Sequence, residues 1–124
     1  LPAPTKEIYF KVCRPLIKDG WERILKSLEI MRGLKTRKVI RLTLVKGLNF
    51  LNVEEYAKLI LKAEPDFIEP KSYMCVGESQ KRLTHDNMLN MEELRKFSEK
   101  LAEETGYVVK DEDRASRVFL LARK

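Results

Sequence analysis

Soft metal ligands are scarce in this 124-residue sequence: it has two cysteines, Cys13 and Cys75, far apart, and one histidine, His85. A zinc site or an iron–sulfur cluster takes three or four ligands, so this chain alone supplies neither. The two thiols read as reduced and partly buried, and nothing in their spacing supports a disulfide. Long apolar runs are also missing. No stretch approaches the length that spans a bilayer, and no signal-peptide pattern is present. Those absences point to a cytoplasmic protein with no membrane association. Internal repeats and low-complexity segments are lacking too. Position 1 is not methionine, and Leu1-Pro2-Ala3-Pro4 resembles no start region. The numbering is therefore expected to begin partway into a longer polypeptide.

What is present fits one modest globular domain: 44% hydrophobic and 35% charged residues, with length for a single core. Lysine and arginine number 25 against 19 aspartate and glutamate, a net charge of +6. That excess favours polyanions, because each neutralised phosphate releases condensed counterions. Charge used only for solvation and ion pairing explains it as well.

Local signals give an α/β order. Pro4-Thr5-Lys6-Glu7 starts a short helix to about Val12, which Cys13-Arg14-Pro15 ends. Asp19-Gly20 opens an amphipathic helix with Trp21, Ile24, Leu25, Leu28 and Met31 on one face, and Gly33 is a suitable C-cap. Val39 to Val45 reads as a strand. Asn52 with Glu55 predicts a capping box for a helix over Val53 to Ala63. Phe67 to Tyr73 is the next strand, and a polar loop follows to about Leu89. Asn90 with Glu93 predicts a second capping box, for a helix reaching Glu104 and stopped by Gly106. Two closing strands, Tyr107 to Lys110 and Val118 to Ala122, flank a charged turn. Strands alternating with helices predict parallel βαβ units, and the last pair predicts an antiparallel hairpin at one edge.

A parallel strand under helices should be apolar on both faces, and two strands here are not. Arg41, Thr43 and Val45 alternate with Ile40, Leu42 and Leu44; Glu69, Lys71 and Tyr73 alternate with Ile68, Pro70 and Ser72. In a barrel or part-barrel the apolar faces would meet the helices and the polar faces would line the lumen. Working groups then belong at the C-terminal strand ends, which selects Thr43, Lys46, Lys71 and Tyr73. An Arg41–Glu69 ion pair that only satisfies two inward charges is the competing account. Trp21 reads as core. The segment from Met74 to Leu89 is long for a connector. It carries Lys81-Arg82 beside Ser79, Gln80, Thr84 and His85, groups that contact phosphate backbones or simply sit in water. His85 reads as a surface residue.

The residues of Arg41-Leu42-Thr43-Leu44-Val45-Lys46-Gly47-Leu48-Asn49, and of the run from Phe67-Ile68-Glu69-Pro70-Lys71-Ser72-Tyr73 through Met74-Cys75-Val76-Gly77-Glu78-Ser79-Gln80-Lys81-Arg82-Leu83, resemble the wybutosine-pathway radical-SAM enzymes. Upstream, Ala3-Pro4 with Tyr9 and Arg14-Pro15, then Gly20-Trp21-Glu22-Arg23, look similar to the same family, and its archaeal members look closest. The resemblance covers nearly the whole chain. It implies the C-terminal portion of an incomplete TIM-like (β/α) barrel, with residues 1–72 belonging to the radical-SAM barrel and 73–124 to a wyosine-base-formation region.

The activity implied is 4-demethylwyosine synthesis, which joins a two-carbon unit from pyruvate to N1-methylguanosine in tRNA(Phe). S-adenosylmethionine and a 4Fe-4S cluster are the implied cofactors. The family's Cys-three-residues-Cys-two-residues-Cys signature is absent here, so the cluster ligands and the lysine proposed to hold pyruvate are expected N-terminal to these residues. Carried onto this sequence, the resemblance places Thr43 and Leu44 near the nucleoside of S-adenosylmethionine. It places Lys46, Lys71, Lys81 and Arg82 toward the tRNA entrance, in a monomer, and assigns no catalytic residue within this chain. A non-catalytic tRNA-binding fragment or module is the alternative.

Overall fold

The computed structural model describes residues 1–15, 17–75 and 85–124. Helix α1 spans Lys6–Cys13, and its N-cap Thr5 accepts a hydrogen bond from the Ile8 backbone N–H at 3.4 Å. Helix α2, Gly20–Arg32, buries Trp21 and Leu28. Gly33 occupies the predicted cap, but in right-handed geometry with φ −85°. Strand β1, Val39–Leu44, leads through a turn to helix α3, Val53–Ala63, then to strand β2, Phe67–Ser72. Helix α4, Met91–Thr105, and the strands β3, Val108–Asp113, and β4, Val118–Ala122, complete the order.

The sheet runs β1-β2-β4-β3. β1 and β2 pair in parallel, with Arg41 opposite Glu69 and Thr43 opposite Lys71, joined by α3 as the alternating pattern predicts. The closing pair is an antiparallel hairpin, and it is β4, not β3, that joins β2. β2 is thus a central strand that contains Pro70. A proline cannot donate to a ladder; the β2–β4 pairing accordingly passes from Ile68–Leu121 to Lys71–Val118.

Alternation decides which face is covered. Ile40, Leu42, Leu44, Ile68, Phe119 and Leu121 are buried, in one core cluster with Trp21, Leu28, Tyr56, Ile60, Leu94 and Leu101 from the helices. α3 packs between α2 and α4. The opposite sheet face, with Arg41, Thr43, Glu69 and Lys71, has no helix over it among the described residues.

Two expectations need correction. Asn52 forms no capping box: it sits at φ 54°, ψ 51°, and its side chain makes no cap hydrogen bond. A left-handed N-cap turns the side chain away from the first helical N–H groups, and Glu55 pairs with Lys58 at 3.3 Å instead. Val45 and Tyr73 do not continue the polar rows. Both lie beyond the strand ends and are buried with Cys75 in a small cluster against Leu48 and Met88. The second capping box forms as the sequence predicts: Asn90 Oδ1 accepts from the Glu93 N–H at 2.8 Å, and Glu93 Oε1 accepts from the Asn90 N–H at 3.0 Å.

Candidate functional site at the strand ends

The ends of β1 and β2 gather the starts of the helices. α4 begins there, because the Leu89 N–H donates to Ser72 Oγ at 2.9 Å just past the end of β2. α2 finishes at the other end, where Arg32 pairs with Glu64 at 3.0 Å, so its first turn lies beside the strand ends. Val12 of α1 lines one cleft with Thr43, Val45 and Asn49.

Asn49 organises this end. It is 1% exposed. Its Oδ1 accepts from the Val45 N–H at 2.6 Å, and its Nδ2 donates to the carbonyls of Pro2 at 2.9 Å and Thr43 at 3.0 Å. Tyr56 Oη donates to the Asn49 carbonyl at 2.9 Å, and burial pushes that phenol well above its ordinary range. One residue, through its side-chain amide and its backbone carbonyl, thus ties β1, the N-terminal segment and α3 together. A second knot joins β2 to α4 and the hairpin. Ser72 Oγ accepts from Leu89 and donates to the Tyr73 carbonyl at 2.9 Å. The Arg117 carbonyl accepts from the Ser72 N–H at 2.9 Å, while Arg117 Nη1 donates to the Leu89 carbonyl at 2.8 Å. The only sequence signals for these knots are an asparagine just past an apolar strand and a serine in an apolar row.

Thr43 is exposed on the open face of β1, opposite Lys71. Leu44 lies on the other face, 0% exposed, and its carbonyl accepts from the Tyr73 N–H at 2.8 Å. The two are therefore not brought together on one surface. Lys46 is held by Glu93 at 2.7 Å; its backbone N–H donates to the Asn87 carbonyl at 2.8 Å, and Asn87 Nδ2 donates to the Lys46 carbonyl at 2.8 Å. That ion pair, with the Asn90 N–H assisting, keeps the Glu93 carboxyl below its ordinary range despite partial burial. Lys71 donates to the Ser116 carbonyl at 2.7 Å in the hairpin turn. Desolvation lowers its ammonium pKa first, Arg41 adds to the effect, and Asp113 opposes it. Arg41 does pair with Glu69, at 3.2 Å, as the competing account required. Lys81 and Arg82 lie outside the described residues. His85 is exposed, in a short 3₁₀ turn, His85–Asn87.

Two clefts follow the free edge of β1. One, of about 320 Å³, runs from Leu1 and Pro2 past Ile24, Leu28 and Met31 to Val39; the other, of about 290 Å³, contains Arg41 and Thr43. Among the described residues, no three His, Cys, Asp or Glu side chains converge as metal ligands. Cys13 is exposed on α1, Cys75 is buried past β2, and no disulfide joins them.

The architecture is that of an α/β unit with an open polar sheet face and its helix starts grouped at the strand ends. A family model described as wyosine base formation matches residues 62–123, half of the chain, and the chain belongs to that family. It is 53% identical over 124 residues to an S-adenosyl-L-methionine-dependent tRNA 4-demethylwyosine synthase of Pyrococcus horikoshii, covering 99% of this chain and 36% of that protein. It is 43% identical to the rice (Oryza sativa) protein of the same name, over 98% of this chain and 19% of the relative. A solved TYW1 with a lysine–pyruvate adduct bound superposes with a TM-score of 0.88 at 36% identity, over 99% of this chain and 39% of that one. An archaeal TYW1 crystal structure gives 0.76 at 30% identity, over 99% and 37%. The chain thus spans little more than a third of the archaeal relatives and solved structures it matches.

Proposed function

We propose that this chain is the C-terminal portion of a tRNA 4-demethylwyosine synthase, a radical-SAM enzyme that uses pyruvate to build the tricyclic base on N1-methylguanosine of tRNA(Phe). The observation that carries the reading is the superposition on a pyruvate-bound TYW1 over 99% of the chain at 36% identity. The fold reading goes with it. Among the described residues β1 is an edge strand, its outer side lined by apolar clefts and touched where the Leu1 amino group donates to the Arg41 carbonyl at 3.2 Å, which suits a neighbouring parallel strand in an incomplete TIM-like barrel. The open face of β1 and β2 would then line the lumen. In this reading residues 1–72 contribute to the barrel and 73–124 to base formation, although one core cluster runs through both.

The residues here do not fit a 4Fe-4S cluster: Cys13 is on α1 and Cys75 lies past β2, and no ligand group converges among the described residues. A cluster would be held elsewhere in the polypeptide, and no step is derived through it. The fit to S-adenosylmethionine is better. Thr43 offers a hydroxyl on the open face that can hydrogen-bond a nucleoside. Leu44, with its side chain in the core, would serve by fixing the strand. Lys46 and Lys71, with Lys81 and Arg82, would face the tRNA. The first two act from fixed positions, one braced by Glu93 and the other by Ser116. A cytoplasmic monomer is the setting this reading expects.

The test is reconstitution of the complete polypeptide with cluster, reductant, S-adenosylmethionine, pyruvate and tRNA(Phe) bearing N1-methylguanosine. Nucleoside mass spectrometry should find 4-demethylwyosine, and none when pyruvate is withheld. Absence of product from a cluster-loaded enzyme would reject the reading.

A further inference from the structure

Three cations gather at the junction of α1 and α2, beside the strand ends. Lys11, Arg14 and Lys18 are exposed, and among the described residues their side chains make no ion pair or hydrogen bond. Neighbouring cations are engaged: Lys6 holds Glu22 at 2.9 Å and Arg23 holds Asp19 at 3.0 Å. At the opposite end of the sheet two cations serve helix C-termini. Lys38 Nζ donates to the Arg32 carbonyl at 3.4 Å, and Arg123 donates to the carbonyls of Glu64 and Pro65. Such placement complements the helix dipole.

At the junction the same dipole accounts for Lys11, in the last turn of α1, and Arg14, its C-cap, but not for Lys18. Lys18 sits two residues before α2, where the positive end of the helix disfavours a cation. Arg14 holds φ 44° and ψ 57° and is followed by Pro15. Left-handed backbone costs a non-glycine residue roughly 1–2 kcal/mol, and a following proline restricts it further. Glycine would relieve the strain, and the chain carries arginine at that cost. Phe10, one helical turn earlier, is 39% exposed and shares that side of α1 with Arg14. Only one acid, Glu7, lies between residues 6 and 18. The junction adjoins the strand ends, because Val12 shares a cleft with Thr43.

We infer that Lys11, Arg14 and Lys18, with Phe10 beside them, form a phosphate-contacting surface that extends the RNA interface beyond the strand ends. The inference rests on the proposed function and adds an interface to it. Backbone phosphates suit unpaired, projecting cations, and an exposed ring suits an unstacked base.

The experiment is tRNA binding by the complete polypeptide as a function of salt. Replacing Lys11, Arg14 and Lys18 together with alanine should weaken binding about tenfold or more, and flatten the plot of log affinity against log salt by about two to three. The exchange Lys11→Arg, Arg14→Lys, Lys18→Arg should restore both. Replacing Lys35, Lys62 and Lys124, exposed cations at the far end, removes the same charge and should change neither. Arg14→Gly alone removes the strain, so it should keep thermal stability and still lower the slope by about one. Equal losses from the junction and far-end triples would mean that net charge alone sets affinity, and the inference would fall. An unchanged slope in the junction triple, with binding intact in the parent, would overturn it and leave the proposed function standing. No tRNA binding by the parent would overturn both.

Discussion

Replacing Asn49 with alanine removes one buried amide and opens three backbone gaps at once. The Val45 N–H loses an acceptor at 2.6 Å, and the carbonyls of Pro2 and Thr43 lose donors at 2.9 and 3.0 Å. A buried donor left unmade costs about 1–3 kcal/mol, and a carbonyl with a second lone pair and partial access to water costs less. With roughly 1 kcal/mol for the space vacated, the total is about 3–4 kcal/mol. That is at least a hundredfold shift in the unfolding equilibrium, or a urea midpoint lower by about 2 M for a slope near 1.5 kcal/mol per M. Asn49→Asp separates donor from acceptor. It keeps an oxygen for Val45 but turns a carboxylate toward two carbonyls, so at neutral pH it should be at least as damaging as alanine. Its deficit should shrink in acid as the new carboxyl regains a proton to donate. Urea unfolding of the wild type and both variants at two pH values is the assay. An alanine variant within 1 kcal/mol of wild type, or an aspartate variant better than alanine at neutral pH, would refute the reasoning.

Other consequences are as direct. Ser72→Ala leaves the Leu89 N–H without its acceptor and should cost about 1–3 kcal/mol, read by thermal unfolding; Ser72→Thr tests whether the hydroxyl alone suffices. Gly20→Ala would drive a Cβ onto the Tyr9 hydroxyl, with the ring carbon Cζ at 3.1 Å. Tyr9 packs on Trp21 with centroids 5.7 Å apart, so a shifted Trp21 emission and a lower melting temperature are expected, and Tyr9→Phe should partly relieve both. Glu93 has its folded pKa depressed by Lys46, so its contribution is present above the ordinary carboxylate range and is lost as pH falls through the folded value. Glu93→Gln keeps the cap but not the charge; its melting deficit at neutral pH should be small and should vanish as pH falls through the depressed folded value.

Side-chain pattern made the element order legible, because burial follows the periods of strand and helix. It misled where geometry at a boundary outranks composition. Asn52-Val53-Glu54-Glu55 and Asn90-Met91-Glu92-Glu93 look alike in sequence, yet only the second asparagine enters its helix from extended backbone, φ −84° and ψ 171°. Asn52 arrives left-handed, and its box does not form. Likewise Val45 and Tyr73 kept the alternation of Thr43 and Lys71, but the strands end before them, so they turn inward. The open face was readable from Arg41, Thr43, Glu69 and Lys71. That Lys46 and Lys71 already have partners was not, because Glu93 and Ser116 are each 45 or more positions away and no local rule connects them.

The placement of β4 bears on how the chain is made. Among the described residues β3 touches the sheet through β4 alone, and β2 gains its second neighbour when β4 arrives. β1, α3 and β2 can associate early during synthesis, but β2 then waits with an open flank until residues 118–122 have cleared the ribosome. A nascent chain halted before Val118 would hold β3 with nothing to join and leave Ile68 beside an unpaired backbone. The keystone of the sheet comes later in the chain than each strand it joins, so a product that stops short of it should be sticky and destined for chaperones or proteases.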